Sequence, residues 1–236
     1  MLILKYELDE KVAMKNNSSV VVISEEKFNW ISKCDNIPFK RIIVAQPKQS
    51  NFNGRIYKFE TLFENLKQNL NVEWNEIEIV NFFDVTSFVS THSFDHLDEN
   101  IDICSFSLYK IFGMPTSIGG LIIRRQTIQE YTPDFFGGGT VKGWLPTEDY
   151  LKYDPTDKLS YGTEPYIEYA NALVGLKTWL DLTGGIENVQ NWTSCCTEYA
   201  LDKMEQLGIF KFYRQSTFEY GPIITFNGIS LYVLLL

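Results

Sequence analysis

Short apolar runs alternate with longer amphipathic segments along this chain, and this alternation limits the folds that it can adopt. Each apolar run is long enough for one strand, and segment 59–70 carries apolar residues at helical spacing. Strand–helix alternation is typical of an α/β fold with a mostly parallel sheet flanked by helices. The predicted strands are 20–23, 41–45, 77–83, 101–106, 121–123, 210–213 and 223–226, and the predicted helices are 24–31, 59–70, 166–182 and 186–207. The acidic stretch between 141 and 164 is predicted to be irregular.

Lys110 directly follows the apolar run 101–106 and precedes a turn rich in glycine and proline, 113–120. In α/β proteins, ligands bind where parallel strands end. A lysine amine held there can act as a nucleophile, and the aldehyde of pyridoxal phosphate is its usual carbonyl partner. The sequence therefore indicates that Lys110 is a candidate Schiff-base lysine. The alternative is that Lys110 is an ordinary solvated loop lysine.

Polar residues at other predicted strand ends fit the same site. Asp84 ends the run 77–83, and a carboxylate there can hold a pyridine nitrogen protonated. Asn51 follows the run 41–45 and could donate to a ring oxygen, whereas Ser107 and Thr163 offer hydroxyls suited to phosphate. For each residue the alternative is a turn residue that bonds its own backbone; for Asp84, this means capping the following turn.

Composition excludes several kinds of partner. The chain has 236 residues, with 30 acidic against 21 basic side chains and a formal charge of −9, which argues against nucleic acid. The apolar start of the chain is too short for a signal peptide, and the run 229–236 is far short of the roughly 20 residues that span a bilayer. We therefore expect a cytoplasmic protein with no membrane contact.

The cysteines and histidines do not predict a metal site. The cysteines form no C-x-x-C pair, so we interpret them as free thiols, with Cys104 in a buried strand. His92 and His96 are four residues apart, but the stretch between them is turn-like. A Rossmann-type nucleotide site is disfavoured because no predicted strand is followed by G-x-G-x-x-G. The cysteines are Cys34, Cys104, Cys195 and Cys196.

A series of motifs resembles, in order, the aminotransferase-like domain of the eukaryotic molybdenum cofactor sulfurase family. The resemblance covers residues 41–228, and Ser-x-Tyr-Lys-x-Phe-Gly followed by Phe-Gly-Gly-Gly-Thr is its most specific part. The matching segments are 47–54, 84–91, 105–113, 136–140, 182–188 and 221–227.

The resemblance implies the large domain of a type I pyridoxal phosphate-dependent transferase, akin to class V aminotransferases and cysteine desulfurases. Such enzymes take sulfur from L-cysteine as an enzyme persulfide. In this family the sulfur passes to the molybdenum cofactor of aldehyde oxidase and xanthine dehydrogenase. The implied cofactor is pyridoxal 5'-phosphate.

Site roles also follow from the resemblance. It implies that Lys110 is the catalytic Schiff-base lysine and that Asp84 is the partner of the pyridine nitrogen. Asn51 matches a residue that contacts the ring hydroxyl, and Ser107 matches a phosphate ligand. Ser87 lies in the matching segment 84–91 and is also assigned to the cofactor site.

The resemblance at Thr163 bears on the oligomeric state. It matches a threonine that, in related homodimers, reaches the phosphate bound to the partner subunit. A homodimer is therefore expected.

The chain also departs from the family pattern. Residues 1–40 contain neither glycine nor histidine, so they cannot supply the phosphate-binding loop and the ring-stacking histidine of the family. The family's sulfur-carrying cysteine has no match. We therefore expect 1–228 to be a partial large domain and 229–236 an atypical, truncated tail. The alternative to the enzyme is a non-catalytic sulfurase-like module that acts by dimerisation or partner binding.

Overall fold

The apolar runs of the sequence form one six-stranded sheet in the computed structural model. The structure describes residues 2–5, 19–22, 41–58, 77–94, 101–113, 118–130, 141–145, 148–152, 159 and 162–228. The strands are β1 (Leu2–Lys5), β2 (Ser19–Val22), β3 (Arg41–Pro47), β4 (Glu78–Asp84), β5 (Ile103–Ser107) and β6 (Gly119–Ile123). Their order in the sheet is β2-β1-β3-β4-β5-β6.

Strand direction places the chemistry of the chain at one edge. Strands β1 to β5 pair in parallel, and only β6 runs antiparallel to its neighbour β5. The prediction of a mostly parallel sheet is therefore confirmed. Because β3, β4 and β5 are adjacent and parallel, the loops that follow them leave the sheet at the same edge.

A buried cluster fixes β4 against β5 just below that edge. Its members are nearly inaccessible to solvent: Phe83, Val85, Ile101 and Cys104. Burial of each large apolar side chain contributes roughly 1.5–3 kcal/mol, which accounts for the apolar runs in the sequence. The predicted burial of Cys104 is confirmed.

The helices in the described part of the chain are α1 (Tyr109–Phe112), α2 (Arg125–Glu130), α3 (Tyr166–Thr183) and α4 (Ile186–Leu207). Helices α3 and α4 confirm the predicted helices 166–182 and 186–207. Gly184 ends α3 in the left-handed conformation (φ 72°), and its N–H donates to the carbonyl of Leu180. None of the described helices has both the length and the apolarity to cross a membrane.

Small residues let α3 lie close to α1. Gly175 faces Phe112, and a Cβ at position 175 would lie 2.8 Å from Phe112 Cε2. Gly175 and Ala172 are the buried residues of α3, so this helix packs through small side chains. Most of the larger apolar side chains of α3, including Leu173 and Val174, are exposed.

Several sequence predictions differ from the structure. Part of the stretch predicted to be irregular forms an antiparallel hairpin, β7 (Val141–Leu145) with β8 (Glu148–Lys152). The strand predicted at 223–226 is instead β10 (Phe226–Gly228), which pairs with β9 (Phe210–Phe212). Strand β10 begins late because the carbonyl of Ile223 accepts from the Arg214 side chain. The predicted helices 24–31 and 59–70 lie outside the described residues.

Candidate active site

The predicted site residues that follow β3, β4 and β5 gather at the carboxyl edge of the sheet. The β-ladder pairs Pro47 with Asp84 and Asp84 with Ser105, so the three strands end nearly level. Asn51 follows β3, Asp84 ends β4, and Ser107 ends β5. Three strands that are far apart in sequence thus supply one surface.

Lys110 lies on the one-turn helix α1. Leu108, just before the helix, is buried, and its N–H donates to the carbonyl of Ile118 at 3.2 Å. Gly113 ends the helix with φ 67°. The helix fixes the backbone position of Lys110. The sequence predicted a turn after Lys110 but did not predict this helix.

The central contact of the site joins Lys110 to Asn51. Lys110 Nζ donates to Asn51 Oδ1 at 2.5 Å, across 59 positions of sequence. The amine is therefore hydrogen-bonded to an amide at the strand edge, in an exposed position.

Asn51 lies in a turn that is stabilised by hydrogen bonds from side chains to the backbone. The buried hydroxyl of Ser50 accepts from the N–H groups of Phe52 and Asn53 at 3.2 and 3.4 Å. Asn53 Oδ1 in turn accepts from the N–H of Arg55 at 3.1 Å. Short polar side chains that bond nearby backbone N–H groups stabilise such turns. The backbone around Asn51 is thereby fixed.

Asp84 has an exposed side chain at the end of β4, and its Oδ1 accepts from the N–H of Thr86 at 3.0 Å. The turn-capping interpretation of Asp84 is therefore confirmed. The cap engages one carboxylate oxygen and leaves the charge facing solvent at the edge that also carries Lys110.

The hydroxyl residues have different surroundings. Ser87 is buried in the turn after β4, and its carbonyl accepts from Ser90 Oγ at 2.8 Å. Ser107 is half-buried at the end of β5, where it pairs with Gly119. Thr163 is exposed before α3, and no contact within the described residues joins it to the other candidates.

Comparison with known proteins decides the family. Residues 24–231 match the family Aminotransferase class-V. The chain belongs to the class V aminotransferase family.

Within this class V family, curated relatives are molybdenum cofactor sulfurases. The human protein of that name is 29% identical over 197 residues, which are 78% of this chain and 22% of the human protein. The Aspergillus niger protein is 30% identical over 233 residues, which are 89% of this chain and 27% of the relative. The chain thus spans about a quarter of the length of these relatives. The predicted resemblance to molybdenum cofactor sulfurases is confirmed.

Solved structures share the fold of this chain, a mostly parallel sheet with flanking helices. The cysteine desulfurase CsdA from Escherichia coli matches with a TM-score of 0.67 at 17% identity, over 96% of this chain and 56% of CsdA. The cystine C–S lyase C-DES in complex with cysteine persulfide matches with a TM-score of 0.68 at 13% identity, over 96% of this chain and 61% of the lyase.

The described cysteines of this class V chain lie in two environments. Burial raises the pKa of the Cys104 thiol to about 11, although the charge of Lys48 acts in the opposite direction. Cys104 is therefore protonated at neutral pH and serves packing. Cys195 and Cys196 are exposed on α4, and all three are free.

His92 is half-buried against the turn after β4. Its ring stacks on Phe88 with centroids 4.7 Å apart, and its Nδ1 is 2.9 Å from Thr91 Oγ1. Burial lowers its pKa below 6.5, and the charge of Glu219 partly offsets this effect. His96 lies outside the described residues, and within the described part no cluster of three or more metal-binding side chains occurs.

A distant segment supports the Asn51 turn, and local sequence patterns do not indicate this contact. Residues 213–225 pack against the turn, with Gly221 N–H donating to the Gly54 carbonyl at 2.7 Å. Part of this segment belongs to the matching motif 221–227, but nothing in that motif indicates that it packs against the Asn51 turn.

Proposed function

We propose that this chain is the cofactor-binding core of a pyridoxal phosphate-dependent, molybdenum cofactor sulfurase-like enzyme, with residues 1–228 forming part of its large domain. The observation that carries the proposal is the Lys110–Asn51 contact at the carboxyl edge of the sheet, where the strand that ends on Asp84 also terminates. An amine, an amide and a carboxylate held at adjacent strand ends form a set of groups suited to a charged aromatic aldehyde.

The chemistry of these groups fits pyridoxal phosphate. Lys110 would hold the cofactor through its aldehyde carbon, with water as the leaving group, and Asp84 would hold a proton on the pyridine nitrogen. Asn51 has an amide NH₂ group that can donate to a ring oxygen, and the Ser87 and Ser107 hydroxyls can donate to phosphate. When bound, the cofactor withdraws electrons from the substrate carbon.

The chain's own residues would orient and move protons around that group. Asn51 fixes the amine of Lys110, so the amine starts in one defined position. Lys110 would also take and return a proton as a general base and acid. The Thr86 N–H donates to one carboxylate oxygen of Asp84 and so orients this side chain at the strand end.

The proposed reaction is desulfuration of L-cysteine, with transfer of the sulfur to the molybdenum cofactor of aldehyde oxidase or xanthine dehydrogenase. The similarity to molybdenum cofactor sulfurases supports it. We do not assign Cys104 as the sulfur carrier, because its raised pKa leaves little thiolate. Its free state and that of Cys195 and Cys196 support a cytoplasmic location, where thiols stay reduced.

A homodimer is also proposed, with Thr163 reaching the phosphate bound to the partner subunit. The exposed apolar side chains of α3 support an association surface, since Leu173 and Val174 are 69% and 65% exposed. The same observation favours the second candidate function, a non-catalytic module that acts by dimerisation or partner binding. Sedimentation of wild type as a dimer and of Leu173→Lys as a monomer would support the surface, with the exposed Asp181→Lys as control.

Cofactor loading separates the enzyme from the module. The purified chain mixed with pyridoxal phosphate should develop a visible absorbance band that is lost in Lys110→Ala and kept in Lys177→Ala, an exposed lysine of α3. With an added thiol that accepts the sulfur as a persulfide and then reduces it to sulfide, the loaded chain should release sulfide and alanine from L-cysteine. A chain that forms dimers but neither binds the cofactor nor releases sulfide would support the module.

A further inference from the structure

The turn that carries Asn51 rests on a segment more than 150 residues further along the chain. The N–H of Ile56 donates to the carbonyl of Glu219 at 2.9 Å, and Lys58 pairs with the Glu219 carboxylate at 3.3 Å. The guanidinium of Arg55 lies 3.5 Å from the centre of the Phe218 ring. Backbone, charge and aromatic contacts therefore all join the turn to this segment.

A second group of contacts involves Phe52, the residue next to Asn51. The Thr225 hydroxyl donates to the carbonyl of Phe52. The Phe52 ring meets the edge of Tyr213 at a centroid distance of 5.3 Å, and Asn227 Nδ2 donates to the Tyr213 hydroxyl at 2.6 Å. Residues of the distant segment thus hold both the carbonyl and the ring of Phe52.

The fit between turn and segment depends on two glycines. Gly54 has φ 78°, and a Cβ there would lie 2.9 Å from the carbonyl oxygen of Ile223. A Cβ on Gly221 would lie 2.6 Å from Nε2 of the buried Gln49. Arg214 shapes the segment itself, since its Nη2 donates to the carbonyls of Gly221 and Ile223.

We infer that Thr225 is a positioning residue: its bond to the Phe52 carbonyl holds the turn so that Asn51 meets the Lys110 amine. The segment 213–225 thereby controls the conformation of the site from outside it. The significance of this contact for cofactor binding rests on the proposed function. The contact itself is a property of the chain without cofactor.

Labelling of Lys110 tests the inference in the full chain without cofactor. An amine held on Asn51 is less available to an acetylating reagent, so loss of the contact should speed acetylation of Lys110. Mass spectrometry would measure the rate relative to Lys177. Loss of one hydrogen bond modestly shifts the equilibrium between the Asn51-bound and the free Lys110 amine. Lys110 in Asn51→Ala and in Thr225→Val should therefore each label about threefold to tenfold faster than in wild type.

Conservative variants show whether the hydroxyl is the group that acts. Thr225→Ser keeps the donor and should label at the wild-type rate, as should Thr217→Val, an exposed residue of the same segment. Wild-type labelling of Thr225→Val, or fast labelling of Thr225→Ser, would overturn the inference. The inference would also be overturned if Lys110 labelled faster in Thr225→Val but at the wild-type rate in Asn51→Ala.

Gly221→Ala gives a second route if Thr225→Val folds poorly. Its Cβ would displace the Gln49 amide, so Lys110 should again label faster, and an unchanged rate would overturn the inference. Titration of the same proteins with pyridoxal phosphate separates the two proposals. A wild-type chain that does not bind the cofactor contradicts the proposed function, while the labelling comparison still decides the role of Thr225.

Discussion

The side chains of Asn51 and Lys110 meet through a 2.5 Å hydrogen bond although each belongs to a different strand end of the sheet. The turn after β3 presents the amide, and the one-turn helix after β5 presents the amine. Strand β4, which lies between β3 and β5, ends on Asp84. The geometry of the site therefore depends on parallel pairing of three strands.

Asn51→Ala should weaken binding of pyridoxal phosphate. The substitution removes the acceptor for Lys110 and the amide donor proposed for the ring oxygen, so we expect the dissociation constant to rise about tenfold. An absorbance titration measures it. Asn191→Ala, on the exposed surface of α4, is the matched control and should bind as wild type does. Equal affinities for all three proteins would contradict the role of Asn51.

Asp84→Asn should separate the structural role of the residue from its charge. Asparagine can still accept from the Thr86 N–H, so the free energy of unfolding should change little. Loss of the carboxylate should lower sulfide release from L-cysteine by about 10²-fold or more, since the ring nitrogen loses its partner. Thermal unfolding and a sulfide assay measure the two effects. Full activity in Asp84→Asn would exclude the proposed role.

The sequence predicted the parts of this molecule that depend on local patterns. Apolar runs identified most strands of the main sheet, and helical spacing identified α3 and α4. Burial of Cys104 followed from its place in such a run. Strand-end positions brought Asn51, Asp84 and Lys110 to one edge, because parallel strands end together.

Other features depend on contacts that local patterns do not encode. Nothing near Asn51 indicates that Thr225 supports its turn, since the two segments meet only in the folded chain. The hairpin of β7 and β8 has register shifts, and its apolar residues stand next to each other, as Trp144–Leu145 and Tyr150–Leu151 do, so it lacks the alternation that marks a strand. The late start of β10 depends on the Arg214 side chain, which captures a carbonyl just before the strand.

Gly175→Ala should destabilise the fold although alanine favours helices. The added Cβ would lie 2.8 Å from Phe112 Cε2, so α1 must shift away from α3. We expect a loss of about 1–3 kcal/mol in the free energy of unfolding, the usual cost of overpacking. Urea unfolding measures it. The double variant Gly175→Ala with Phe112→Leu should recover part of the loss, and a stabilised single variant would show that α1 and α3 do not pack this closely.

Stability should fall in acid partly through His92. Burial holds the folded-state pKa of His92 below 6.5, so the folded protein binds this proton more weakly than the unfolded chain does. Its contribution is therefore fully present above pH 6.5 and is lost as pH falls from 6.5 through the folded pKa. His92→Gln should reduce this acid-side loss in urea unfolding measured across that range. An unchanged pH profile would contradict it.

Cys104 should produce the opposite dependence at alkaline pH. Burial raises the pKa of its thiol from 9.0 to about 11, so the unfolded chain loses this proton first. The contribution is present below pH 9.0 and is lost as pH rises through about 11. Urea unfolding between these values should show a steeper loss for wild type than for Cys104→Ala, which has no thiol to titrate. In the folded protein a thiol reagent should modify the exposed Cys195 and Cys196 well before Cys104, and equal rates would show that the thiol is not buried.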